Sequence, residues 1–170
     1  MRSAALAVTA LASLAACRKG GLPLLERPRQ TVEGFSLSQS NKGQPLWDLH
    51  APHAELREDD HESDLELPKL QIYKNGKLAS TLTAETGVVD MRTYDVTMSS
   101  RVLATSLDDG STLSTEELKY DGKNGKFRTD KDVLVKKPGG VMRGKGLEAN
   151  KDLSEIRVFK QSSVFDKAPR

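Results

Sequence analysis

From Phe35 onward, apolar and polar positions alternate in short runs such as Leu65-Glu66-Leu67 and Leu113-Ser114-Thr115. A period of two sends successive side chains to opposite faces of an extended strand, so each run reads as a strand with one face to bury. Between the runs stand residues that favour tight reversals: Asn41-Lys42-Gly43, Asn75-Gly76, Asp109-Gly110, Asp121-Gly122, Asn124-Gly125 and Pro138-Gly139-Gly140. No long 3.6-residue periodicity competes with them. The pattern predicts an all-β domain over residues 34–166.

The strands fall into a degenerate repeat of about thirty residues. One copy opens at Asn75-Gly76, passes Leu82-Thr83-Ala84-Glu85 and Asp90, and closes through Val96-Thr97-Met98 at Arg101-Val102. The next opens at Asp109-Gly110, passes Leu113 to Leu118 and Tyr120-Asp121, and closes through Phe127-Arg128-Thr129-Asp130 at Asp132-Val133. A third runs from Gly139-Gly140 through Gly146 to Asn150 and on to Ile156-Arg157-Val158 and Val164, and an eroded copy runs from Gly43 through Trp47 and Ala51 to Leu70. One strand pair cannot bury its apolar face alone, so the copies must stack around a shared core. Two facing antiparallel sheets, or one strongly rolled sheet, meet that need. The positions expected inside are Trp47, Leu49, Leu65, Leu67, Leu70, Ile72, Leu82, Val96, Met98, Val102, Leu113, Leu118, Phe127, Val133, Ile156 and Val158. A stack also leaves terminal strands with unpaired backbone groups, and the carboxyl-terminal edge, with Ile156, Arg157, Val158, Phe159, Val164 and Phe165, is the first candidate for pairing with another protein.

The amino terminus changes the picture from a domain to a membrane-associated protein. Met1-Arg2-Ser3 supplies a positive start, and the uncharged run from Ala4 to Leu14 is too short to span a hydrocarbon core of about 30 Å as a helix. Residues 1–16 therefore read as a signal peptide. Leu14-Ala15-Ala16-Cys17 resembles the lipobox of bacterial lipoproteins, with Cys17 as the lipidated residue. The alternative is an ordinary secretory signal cut after Ala15. Residues 17–33, with Gly20, Gly21, Pro23 and Pro28, read as the lipidated cysteine and a flexible tether, and residues 167–170 as a tail.

Composition narrows the function by exclusion. The 170 residues carry 26 basic and 24 acidic side chains, a net charge of +2, so no global field points to nucleic acid. Four Phe, three Tyr and one Trp give no series on which bases could stack. His50, His53 and His61, with the acidic residues around them, have metal-ligand chemistry, but an extended chain sends His50 and His53 to opposite faces, so no metal is expected. Nothing resembles a nucleophile elbow or a phosphate-binding loop. The sequence predicts neither enzyme activity nor a cofactor.

In their order, Asn41-Lys42-Gly43, Leu46-Trp47-Asp48-Leu49, Leu67-Pro68-Lys69-Leu70, Leu82-Thr83-Ala84-Glu85, Leu113-Ser114-Thr115-Glu116, Thr129-Asp130 and Met142-Arg143-Gly144 resemble the LptC family. That resemblance covers about residues 35–165 and implies an OstA-like open β-jellyroll that takes the acyl chains of lipopolysaccharide into its interior. It implies as partners an inner-membrane ABC transporter of the LptBFG type and a periplasmic bridge protein of the LptA type. The chain departs from familiar members in carrying a lipobox-like segment where they carry a transmembrane helix. The expected location is the periplasmic face of a membrane, the inner rather than the outer, through the lipid anchor. On this reading Lys42, Lys69, Lys74, Lys77, Arg101 and Arg143 are candidates for headgroup phosphates, with ordinary surface charge as the alternative. An outer-membrane lipoprotein that binds protein or glycan, and a soluble bridge of the LptA type, remain rival functions.

Overall fold

The computed structural model of the chain describes residues 29–57 and 61–164, with backbone alone at 163 and 164. Its strands, in chain order, are β1 (Gln30–Asn41), β2 (Gln44–Arg57), β3 (Glu62–Glu66), β4 (Lys69–Lys74), β5 (Lys77–Thr83), β6 (Thr86–Asp90), β7 (Val96–Ser106), β8 (Thr112–Asp121), β9 (Lys126–Lys137), β10 (Gly140–Asn150), β11 (Ile156–Val158) and β12 (Ser162–Val164). The described residues contain no helix. The two facing layers expected from the repeats are halves of one continuous sheet of 12 strands, ordered β11-β10-β9-β8-β7-β5-β4-β2-β3-β6, with β1 on β2 and β12 on β10.

A crease divides this sheet into two leaves. Short strands lie end to end across it: β4 and β3 along β2, β5 and β6 along β7, and β12 and β11 along β10. Long strands run through it with register shifts, between Ser99 and Val102 in β7, Thr115 and Lys119 in β8, and Lys145 and Leu147 in β10. Such irregularities bend a strand and re-aim its side chains. Positive φ values sit along the same line at Gly34, Leu67, Ser100, Arg101, Gly146 and Lys160. The sequence copies now have a physical meaning, because each supplies a pair of strand lines that crosses both leaves.

The leaves must cover each other, since the described chain offers no other layer. In the first leaf the cross-strand row Leu37–Leu49–Leu70–Leu82–Ala104–Leu113–Val135–Met142 is apolar from one edge to the other. In the second, the apolar row Val89–Val96–Tyr120–Phe127–Ala149–Ile156 starts beside the buried Ser63 and lies next to Ala54–Leu65–Gly87–Met98–Leu118. Trp47, Leu49, Leu70, Ile72, Val89, Met98, Leu113, Leu118 and Phe127 are fully buried and belong to a single cluster.

Three sequence expectations change. The segment read as tether enters the sheet early, because β1 begins at Gln30 and Val32 pairs opposite Ala54 and packs on the core. Leu67, expected inside, is 63% exposed, since it lies at the crease with φ 47° and its N–H donates to the Glu85 carbonyl at 2.8 Å. His50 and His53 both face outward: β2 buries Leu49 and Ala51 before the crease and Ala54 after it, so the alternation slips by one residue at Pro52.

Candidate apolar interior and its mouth

Of the positions expected inside, Trp47, Leu49, Leu65, Leu70, Ile72, Leu82, Val96, Met98, Val102, Leu113, Leu118, Phe127 and Val133 are buried, and Ile156 and Val158 pack half-buried against them. The sequence reading missed Ala54, Val89, Ala104, Tyr120, Val135, Leu147, Ala149 and Leu153, all in the same cluster. Most carried a visible signal: Val135 and Leu147 continue alternations whose other members were recognised. Leu153 carried none, being a lone apolar residue in a polar turn.

The interior is closely filled. Trp47 donates its indole N–H to Gln39 Oε1 at 2.6 Å and meets the Tyr94 ring at a centroid separation of 6.0 Å. Tyr120 lies 5.4 Å from Phe127, with the planes inclined by 51°. Burial, aided by the neighbouring Asp121 carboxylate, pushes the Tyr120 hydroxyl up to about 12, so it stays neutral.

Opposite the crease the leaves end in turns, and there they meet. Tyr94, in the turn between β6 and β7, rests on Trp47 of the first leaf. The connection between β10 and β11 reaches the first leaf through Ser80, whose hydroxyl donates to the Lys151 carbonyl at 2.7 Å, and through Lys74, whose ammonium lies 2.5 Å from Asp152 Oδ2. Within the second leaf the turns support one another: Gly122 N–H donates to Asp95 Oδ1 at 2.8 Å and Lys151 N–H to the Gly125 carbonyl at 3.1 Å. A Cβ at Gly122 would sit 2.5 Å from the Tyr94 carbonyl oxygen, so the close approach of these turns requires glycine.

The six cations do not form one cluster. Lys42, Lys74 and Lys77 lie at neighbouring hairpin ends of the first leaf, where Gly76 abuts the Gln44 side chain. Lys69 and Arg143 lie in the outward cross-strand row that begins at His50, and Arg101 lies at the crease in an ion pair with Glu85. Among the described residues, no three His, Cys, Asp or Glu side chains are grouped to hold a metal.

Among the described residues, the sheet has two edges without a further partner strand. At the carboxyl-terminal edge, β11 and β12 are three residues each. Between them Phe159 turns back on β10, accepting from Lys145 N–H at 3.1 Å and donating to the Gly146 carbonyl at 2.9 Å, so the expected continuous edge is broken. Val158 is half-buried, while Arg157 and Phe159 are exposed; Phe165 lies outside the described residues. The other edge is β1, a strand of 12 residues whose pairing on β2 skips Gly34 and shifts register between Gln39 and Ser40. Cys17 and the signal segment also lie outside the described residues.

A rolled antiparallel sheet with an apolar interior that runs from edge to edge is the architecture of a β-jellyroll. The crystal structure of LptH, described as the LptA homologous periplasmic component of the conserved lipopolysaccharide transport device from Pseudomonas aeruginosa, has a similar fold, with a TM-score of 0.55 at 14% identity, over 75% of this chain and 90% of that one. The family model described as lipopolysaccharide-assembly, LptC-related, matches residues 20–164. This chain belongs to that family, and is thus a periplasmic component of lipopolysaccharide transport. Among curated proteins, none matches the chain.

Proposed function

We propose that the interior accepts the acyl chains of lipopolysaccharide delivered by an inner-membrane ABC transporter and passes them to a jellyroll bridge protein. The observation that carries this reading is the continuity of the apolar rows, from Leu37 at one edge to Met142 near the other. A channel in that direction crosses the strands, so a jellyroll added at either edge would extend it. Apolar burial contributes by area, at about 25 cal/mol per Å², and gives affinity without strong chemical selectivity. No chemical step is required, and the energy for movement comes from the transporter. Lipidation at Cys17 would hold the domain at the inner membrane.

Docking at the carboxyl-terminal edge is the first reading for the bridge protein, by strand addition. The length of β1 favours a second reading, in which the amino-terminal edge docks a neighbour, because short edges are poor templates. Proline at Arg157 or Val158, and separately at Ser36 or Leu37, tests the two by pull-down of the bridge protein. Photoreactive residues at Met98 and Phe127 should crosslink to lipopolysaccharide when ATP is supplied, and those at Thr97 and Arg128 should not. Crosslinks from the outward pair alone would overturn the interior reading.

A further inference from the structure

The segment that closes the mouth is built differently from everything it covers. Leu153 is 1% exposed, yet it belongs to a connection, not to a strand, and holds φ at 59°. A non-glycine residue keeps that conformation only where its surroundings impose it. Because no ladder passes through residues 151–155, the connection can lift without unpairing a strand line. Its polar ties to the opposite leaf are the Ser80 hydroxyl on the Lys151 carbonyl and the Lys74–Asp152 ion pair. Lys74 is 56% exposed, so the ion pair is weakened by solvent and by salt. Asp152 is braced from its own side, with the Ser154 hydroxyl donating to Oδ1 at 2.6 Å. A recess of about 580 Å³, lined by Lys74, Lys77, Asp109 and Asp152 among others, already opens beside the tie.

We propose that residues 151–155 form a latch on the interior, in which Leu153 occupies space that an acyl chain takes and the Ser80 and Lys74 contacts hold it shut. This rests on the reading of the interior as a lipid groove. Entry of an acyl chain then exchanges one apolar occupant for another, and the latch sets the rate of entry. Raised salt speeds entry in the native chain by screening Lys74 from Asp152.

The test compares the full-length chain with Lys74→Gln, Ser80→Ala and the charge-conserving Lys74→Arg, using two readouts. Amide hydrogen exchange at Leu153 reports latch opening, and the uptake rate of dansyl-labelled lauric acid reports access to the interior. Lys74→Gln and Ser80→Ala should each raise both by about two- to fivefold, the scale of one half-exposed ion pair or one hydrogen bond. Lys74→Arg should leave both near native values, and Lys74→Gln should lose the salt dependence. Uptake at the native rate in every folded variant, with exchange at Leu153 unchanged, overturns the latch and leaves the groove standing. Faster exchange with no uptake by any variant overturns the groove reading instead, and with it the role of the latch in entry.

Discussion

Phe127→Ala separates a passive core from an interior that accepts lipid. Phe127 is fully buried in the second leaf, opposite Tyr120 and Ala149 in the ladder and in ring contact with Tyr120. Truncating a buried Phe costs about 3–5 kcal/mol, the lost transfer energy plus the cavity left behind. For a domain of this size that lowers Tm by roughly 10–20 °C, read by circular dichroism at the β-sheet band. A loss below about 3 °C would show that the side chain is not buried as described. The second half of the measurement adds lipopolysaccharide. A ligand that binds only the folded state stabilises by about 2.7 kcal/mol at a hundred times its Kd, and one that also fills the new cavity recovers part of the truncation cost. The variant should therefore gain more Tm from lipid than the native chain does. An equal gain in both, or none in either, would refute the identity of core and binding site.

Leu67→Ala should change stability by less than about 0.5 kcal/mol because the side chain is exposed, whereas Leu70→Ala should cost about 2–5 kcal/mol; urea denaturation of the two compares them directly. Asp109 is held down to about 2 by hydrogen bonds from the Ser111 hydroxyl and backbone N–H, below the ordinary unfolded carboxylate. Its contribution is therefore complete at neutral pH and is lost as pH falls from about 4 towards 2, so Asp109→Asn should flatten acid unfolding in that window; an unchanged acid profile would remove Asp109 from the account. Gly122→Ala should cost about 1–3 kcal/mol in the same denaturation assay, because its Cβ would meet backbone oxygens of Thr93 and Tyr94 that cannot rotate away. Cys17→Ser should abolish labelling by radioactive fatty acid and leave an unprocessed precursor, and normal labelling would end the lipoprotein proposal.

The strand positions were legible because alternation is a local property: Leu113 and Thr115 face in because neighbours two apart share a face, wherever the strand lies in the sheet. The crease was partly legible. Inward positions in β8 run 113, 115, 118, 120, and that odd step records the bend that carries the strand from one leaf to the other. Ignoring the same kind of step at Pro52 sent His50 and His53 to opposite faces, and treating Leu67 as an ordinary alternation placed it inside. The mouth was not legible at all. Lys74 and Asp152 are 78 positions apart, and their meeting depends on how two leaves close, which no local pattern encodes.

The closed interior and the proposed traffic through it constrain each other. A sheet whose strands pass continuously through the crease cannot open there without breaking ladder hydrogen bonds in β7, β8, β9 and β10 together. The opposite side is closed by side chains and turns: Tyr94 on Trp47, Leu153 in the core, and the contacts of Ser80 and Lys74. These can exchange one at a time, and none belongs to a cooperative ladder. Separation along the mouth would therefore break no ladder hydrogen bond, while the crease is marked by positive φ values at Gly34, Ser100, Arg101 and Gly146. Under the proposed function, strand continuity would preserve the groove's direction from edge to edge, and any widening for chains of differing bulk would fall to the mouth.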